Sequence, residues 1–528
     1  MNIPVGTAFL IAFCAGFAYF ARRFLGDLYL ERAIVLGPLT GLIMGDLQTG
    51  LIVGGTLELI FMGASDIGGS VPANLPIGST IGTALAISGH LDPAAALAIA
   101  VPAAIAGSFF ELLAKTVSTI FVAGAEYYAD RGSSGGVSLM VHLGNFLHFL
   151  ADFIPVFVVL SVGAQAITNL MTNLPDWFQS GIKLAGNMLP ALGFGILLST
   201  LATPGLIPWF FVGFLVAIFA KFSVLAAAFL GICAGVIFIF SRGGVTLIRP
   251  AEEAEKEVAD LVPAADRRTI FWRSFGLQSA FSFDRMQALG FTWTLIPFLK
   301  KLYGGTAEFS AALKRHLVFF NTHMWIPGPI FAMVADLEAR RAQDPSKVEV
   351  QSIQAVKASL MGPLAGIGDS MFHGTLRPLM SGVTASMALQ GIPFAPILFL
   401  GVTNAVHVFV RWFTLDQGFK LGGNLFERVD QAGLRRVMEG AAIAGLMALG
   451  ALVANWLSFG LAKTLVYKTG NYSLPIQGML DGILPGLLPL LTTLLVYWLV
   501  RKGVKNTYIM IGLLVICFVF GGFIKVFA

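Results

Sequence analysis

The chain has 528 residues, of which 56% are apolar and only 12% charged, with 45 phenylalanines and a mean hydropathy of +0.80. A soluble domain carries about a quarter charged residues, so half that share excludes the water-soluble globular classes and points to a polytopic membrane protein. The net charge of +5 is not gathered on one soluble domain, which sets nucleic acid aside as a partner, and the scattered Cys14, Cys233 and Cys517 offer neither a disulfide framework nor a thiolate metal site.

Apolar stretches of spanning length, about 17 residues or more, recur along both halves. In chain order the first half predicts spans at 3–21, 33–63 (broken), 80–124 (a hairpin turned near 88–93), 141–166, 186–202 and 208–240. The first of these lacks the basic start and small-residue cleavage site of a signal peptide and is read as retained. The second half predicts spans at 317–335, 379–413 (a hairpin turned near Gln390–Gly391), 438–466, 478–500 and 507–527. Between the halves runs the charge-rich RPAEEAEKEVADLVPAADRRTIFWR (249–273), so the expected organisation is a membrane domain over 1–242, a charged linker over 243–271 and a second membrane domain over 272–528. Arg242, Arg249, Lys256, Arg267, Arg268 and Arg273 crowd this seam and Lys300, Lys301, Lys314 and Arg315 follow, which predicts a cytoplasmic seam. A second polar stretch, 336–357, reads as an aqueous loop or amphipathic helix.

The most informative segment is the apolar run from Leu39 to Ile87, interrupted by Asp46, Glu58 and Asp66. Three central acids would cost about 8–10 kcal/mol in lipid, so they belong in a protein interior or a wet cavity. Glycines at 41, 45, 50, 54, 55, 63, 68, 69, 78 and 82, with Pro72 and Pro76, predict broken helices that aim backbone groups at a polar solute. Glu58 offers two oxygens to a polyol, or caps a broken helix. Asp66 and Asn74 flank the SDIGGSVPAN break and are expected to contact solute. Asp46 divides between solute contact and a helix cap, and Gln48 is a further candidate. In the second half Asp369, in GIGDSMF, divides between solute contact and bracing the core. His323 and His373 raise metal and proton-relay readings, but no second His or carboxylate is read at i+3 or i+4 from either on a helix, so no metal site is expected. Arg285 and Arg377 are read as holding broken helix ends and interdomain pairs, and His142 and His148, six apart, as lying on different helix faces.

Three blocks then stand in order: FDRMQALGF (283–291), RHLVFFNT (315–322) and GPLAGIGDSMFHGTLRP (362–378). They resemble the enzyme IID membrane subunit of the mannose-family sugar phosphotransferase systems, across 272–528. GDLQTGLIVGGTLELIFMGASDIG (45–68), in 1–242, is similar to the enzyme IIC subunit of the same family. In that family the two are usually separate chains; here they are joined. The resemblance implies an all-α polytopic membrane fold of two related, inverted membrane domains with broken or re-entrant helices, of which the Gly45–Asp46 and Gly368–Asp369 pairs are a faint echo. It also implies a homotrimer in the bacterial cytoplasmic membrane that imports a hexose or amino sugar. The sugar would be presented to phosphorylated enzyme IIB, itself served by IIA, with phosphate carried on histidines of those soluble proteins. The chain would then be no enzyme and hold no cofactor. The substrate-contact set expected is Glu58, Asp66, Asn74, Asp46, Gln48, Asp369, His323 and His373, the two histidines as tuning residues, since some relatives carry Gln and an aromatic residue there. An amide and an acid stand exchanged between positions 66 and 74 relative to the glucose/mannose pattern, which leaves the sugar open. The alternatives are an ion-coupled secondary sugar transporter, with a proton or cation on Glu58 or Asp66, and a sensory protein on the same fold.

Overall fold

Long apolar runs in lipid satisfy their backbone polar groups within helices, and helices carry most of this chain. The computed structural model describes residues 3–62, 73–91, 93–163, 180–181, 184–185, 188–244, 261–421, 431–462, 465–469, 472–504, 506–520 and 524–526. In the first half the helices are α1 (Val5–Phe24), α2 (Ala33–Met44), α3 (Leu47–Ile60), α4 (Leu75–Gly89), α5 (Pro93–Val117), α6 (Thr119–Asp130), α7 (Ser134–Val158), α8 (Pro190–Leu201), α9 (Pro208–Ala220) and α10 (Val224–Ser241). The second half continues with α11 (Ala264–Ser274), α12 (Ala288–Tyr303), α13 (Ala307–His316), α14 (Gly328–Gln343), α15 (Val350–Gly368), α16 (Arg377–Leu389), α17 (Ala395–Leu421), α18 (Gln431–Trp456), α19 (Ile476–Ile483), α20 (Leu487–Arg501) and α21 (Asn506–Phe520). Among the described residues six helices are long and apolar enough to cross a membrane, or seven if the α19–α20 pair, bent by 75°, counts as one broken span.

Several expected spans change shape. The stretch 317–335 is not one helix: residues 317–327 cross the core without helical structure, and α14 starts only after Pro327 and Gly328. Proline fixes φ and lacks an N–H, so Pro327 and Pro329 fit a first helical turn and not the middle of a span. The stretches 438–466 and 507–527 both end in strand. Phe459–Leu461 pairs antiparallel with Ile524–Val526, and Val466–Thr469 with Tyr472–Pro475, so two small β-ribbons amend the all-helical expectation.

The glycines of the Leu39–Ile87 run also do different work from that expected. Among the described residues of the run only Gly45, at φ 84°, stands at a break, between α2 and α3; Gly63, Gly68 and Gly69 lie outside them. Gly37 and Gly41 instead face Gly54 and Gly50, where an added Cβ would come within 2.6 Å and 2.9 Å of the opposite Cα atoms. Small residues let the two helices touch backbone to backbone, the usual route to association where apolar burial gives no preference over lipid. The same device joins the halves. A Cβ on Gly235 would meet the Gly440 carbonyl at 2.3 Å, one on Gly231 the Ala444 Cα at 2.8 Å, and one on Gly213 the Met447 carbonyl at 2.1 Å. Helices α9 and α10 therefore pack on α18, and α3 packs through Gly55 on α16.

The two halves consequently do not keep separate cores. One buried cluster unites Val53, Leu57, Phe210 and Phe214 with Ile443, Met447, Val453 and Val496. A second unites Tyr29, Ile34, Leu51 and Val141 with Phe291, Trp325, Phe331 and Phe399. Of the stretch expected as linker, 245–260 lies outside the described residues. Its end, 261–271, enters α11, buries Val262 and Ile270 in the second cluster, and pairs Asp266 with Lys301.

Candidate functional site

A non-helical backbone inside a membrane protein is tolerated only where protein groups satisfy it. The crossing segment 317–327 is fastened by side chains of its own half. Gln287, in FDRMQALGF, donates from Nε2 to the Thr322 carbonyl (2.8 Å) and accepts the Thr322 N–H on Oε1 (3.0 Å). The Gln287 N–H also donates to the Phe320 carbonyl at 2.8 Å. From the far side the Arg411 guanidinium donates to the Met324 carbonyl and, at 2.6 Å, to the Ser274 carbonyl. Trp325 stacks on His407 at 4.6 Å between ring centroids. His323 is thereby presented on a non-helical strap held at both ends.

Opposite the strap, α15 ends at Gly368 and the chain continues as a π-helical stretch, Asp369–Leu376. Such wider turns recur at functional sites because they re-aim side chains. Here the stretch turns Asp369 and His373, one turn apart, toward the strap. His373 Nδ1 lies 3.8 Å and His323 Nε2 4.0 Å from Asp369 Oδ1. Gly368 has to be glycine, since a Cβ there would sit 2.2 Å from His323 Cγ. Asp369, four residues before His373, is a carboxylate at helical spacing, and it corrects the expectation that none stood there.

These groups wall a small cleft, about 30 Å³ of open space, with Arg23, Lys115, Gln278, Phe281, Gln287, Asn321, Thr322, Met324 and Ala365. Arg23 and Lys115 come from the first half and the remainder from the second. Arg23 donates to Gln278 Oε1 (3.1 Å), Tyr19 Oη (2.9 Å) and Glu111 Oε1 (3.2 Å), and Lys115 pairs with the same Glu111 at 2.8 Å. Neither cation nor either glutamine was singled out in the sequence. The signal was present in Arg23 and Lys115, charges in apolar runs that read equally well as membrane-edge residues.

The other expected contacts take separate places. Glu58 is fully buried away from the cleft: Arg32 donates to its Oε1 (3.0 and 2.5 Å), Ser381 donates to the same oxygen (2.5 Å), and the Ile34 N–H reaches Oε2 (3.4 Å). It ties α2, α3 and α16 together. Asp46 caps α3, accepting from the Thr49 N–H and hydroxyl at 3.0 and 2.6 Å. Asn74 caps α4 through the Ile77 N–H (2.9 Å) and donates to Asp152 at 2.7 Å. Gln48 is exposed beside the Gly391 turn between α16 and α17. Asp66 lies outside the described residues. Arg377 donates to the Met62 carbonyl just past the end of α3 (3.4 Å), and Arg285 pairs with Glu126 (3.1 Å), both across the two halves. His148 is buried against Ser118 and the Phe281 carbonyl, while His142 is exposed beside Trp293.

Membrane-grade helices around a buried polar cleft, with walls drawn from both halves, are the layout of a permease. Comparison with known proteins gives the family. Residues 5–237 match the family model described as the PTS system sorbose-specific IIC component, and residues 262–527 that of the PTS system mannose/fructose/sorbose family IID component. The fructose permease IID component of Bacillus subtilis 168 is 38% identical over 252 residues, covering 47% of this chain and 91% of that protein. The mannose-specific EIIC component of Escherichia coli K12 is 32% identical over 240 residues, covering 45% of this chain and 88% of that protein. A solved structure of the mannose transporter ManYZ in complex with microcin E492 is 33% identical, with a TM-score of 0.30, covering 51% of this chain and 97% of that one. The chain belongs to the mannose/fructose/sorbose family of phosphotransferase-system permeases and carries the IIC and IID membrane components together. The ion-coupled transporter alternative finds no support in these comparisons.

Proposed function

We propose that this chain imports a hexose or amino sugar across the bacterial cytoplasmic membrane and presents it, at the cytoplasmic face, to a phosphorylated IIB protein supplied by IIA. The observation that carries this reading is the cleft at the junction of the halves. Its amides, imidazoles and carboxylate suit a neutral polyol, and Phe281 offers an apolar surface to a sugar face. In this reading 1–242 and 272–528 act as two inverted transport domains of a homotrimer, and the chain supplies the acceptor hydroxyl and its orientation. Phosphoryl transfer depends on positioning and charge stabilisation around an in-line geometry, so the phosphorus and its carrier histidine belong to the soluble partners. Asp369, His323 and His373 are the contacts best placed for the sugar, with Asp66 a contact from the first half, while Asn74 holds the start of α4. Glu58, Asp46 and Gln48 support the surrounding helices.

The test is uptake in a strain whose own sugar permeases are deleted, complemented with this chain and its matching IIA and IIB. Internal sugar phosphate, dependent on IIB, is expected for one or a few members of a panel of hexoses, amino sugars and ketoses. Proteoliposomes holding only this chain, given an ion gradient, should not concentrate unmodified sugar. If they do, secondary transport replaces this reading.

A further inference from the structure

The two histidines of the cleft have their tautomers fixed by the protein around them. His323 Nδ1 accepts the Trp325 N–H at 3.2 Å, so in the neutral ring the proton resides on Nε2, which becomes a donor. His373 Nε2 lies 3.2 Å from Asp27 Oδ2, a carboxylate oxygen that only accepts. That nitrogen carries the proton, and Nδ1 of the neutral ring is an acceptor. His323 Nε2 and His373 Nδ1 are both buried without a hydrogen-bond partner among the described residues. With Asp369 each offers one atom, all within 4.8 Å of one another, on the wall of the cleft.

By residue type the trio would suit a divalent metal, but the tautomer rules it out. A metal ligand needs a free lone pair; Nδ1 of His323 is occupied by Trp325 and Nε2 bears a hydrogen. A hydroxyl group is the complement. Its oxygen accepts from His323 Nε2–H, and its hydrogen is donated to Asp369 or His373 Nδ1. Unpartnered buried polar atoms are costly; one hydroxyl satisfies His323 Nε2 and one acceptor, and a vicinal pair satisfies both buried nitrogens.

We infer that His323, His373 and Asp369 form a clasp for a hydroxyl of the transported sugar, with His323 donating to its oxygen and Asp369 or His373 accepting its hydrogen; the inference rests on the permease reading above. The clasp also discriminates. An ammonium group has donors but no lone pair to accept from His323, so the gripped carbon bears a hydroxyl and not a free amine. A deoxy carbon leaves the buried His323 Nε2–H without an acceptor, the situation in which a polar site rejects its analogue most strongly.

Binding of radiolabelled sugars to the purified full-length chain in lipid nanodiscs tests this. The sugar bound most tightly is compared with its monodeoxy and monoamino analogues. One position should show a loss of about tenfold or more for both changes. That penalty should shrink to about twofold in H323F and D369N, the mark of coupling between residue and hydroxyl. H323Q, which keeps a donor, should retain more of the penalty than H323F, and a native size-exclusion profile guards against misfolding. A second readout is the imidazole ¹⁵N spectrum, in which His323 should show a protonated Nε2 in the sugar-free chain. Deoxy penalties unchanged in every variant would overturn the clasp while leaving the permease reading intact. So would micromolar Zn²⁺ binding that D369N and H323F abolish. A wild-type chain that binds no sugar and gives no IIB-dependent uptake would overturn both.

Discussion

At the scale of the residue, Glu58 shows what a membrane acid can be for. Its Arg32 and Ser381 partners leave it no free oxygen toward the cleft, and removing one member of a buried pair typically costs about 3–5 kcal/mol because the other charge is stranded. Glu58→Gln should therefore lower the thermal unfolding temperature in detergent, whereas Arg32→Met combined with Glu58→Met should recover most of the loss. An unaltered melting temperature in Glu58→Gln would count against the brace. Gly368→Ala is the complementary case: its Cβ would press on the root of the buried His323 side chain, and sugar affinity should fall by about tenfold, roughly 1.4 kcal/mol, together with thermal stability. The sequence made the acids conspicuous because lipid cannot hold them, but not their partners. Ser381 is 323 residues from Glu58, and Asp27 is 346 from His373. Periodicity reports a residue's own helix; it carries nothing about a side chain arriving from the other half.

At the scale of the element, the crossing segment 317–327 depends on side chains for its backbone hydrogen bonds. Gln287→Ala would orphan both polar groups of Thr322, at about 1–3 kcal/mol each. It should lower both stability and sugar affinity, because His323 rides on the same strap; hydrogen exchange at Thr322 is the direct measure. Just beyond the strap, outside the membrane-spanning helices, Glu338 receives Arg315 at 2.6 Å on each oxygen, with His316 at 2.9 Å. Burial alone would raise its pKa, but these hydrogen bonds and charges hold it at about 2, against 4.5 for an ordinary glutamate. A carboxyl with a depressed folded-state pKa contributes stability above the unfolded value, lost as pH falls toward the folded one. Stability should therefore decline between about pH 4.5 and 2, and Glu338→Gln should flatten that part of the acid-unfolding curve. Apolar runs and turn residues foretold most helices, including the Gln390–Gly391 hairpin. They did not foretell the strap, because VFFNTHMWIPGPIF is apolar enough to read as a span until Pro327 and Pro329 are weighed.

At the scale of the molecule, both apolar cores draw on both halves, so the covalent link is not what keeps them together. Chains ending at 244 and beginning at 261, expressed together, should co-purify and retain much of the uptake, the link serving to raise effective concentration. Well-expressed halves that never associate would refute the shared cores. The family and the membrane class were legible from motifs that stand within one half. The junction, where the cleft lies, was not, since no single stretch of sequence contains it.

The fit of α9 and α10 against α18 has a consequence for biosynthesis. Gly213 meets Met447, which leaves the ribosome 234 residues later. At ~5–20 residues per second that is a wait of about 10–50 s, during which the first half sits in the bilayer with its closest-packing faces turned to lipid or to a stranger. Two separately encoded chains would have to find each other in that interval. A single message delivers the missing helix to the same spot, in equal number, every time, so the join acts less on the finished transporter than on the odds that a half-made one is ever left alone.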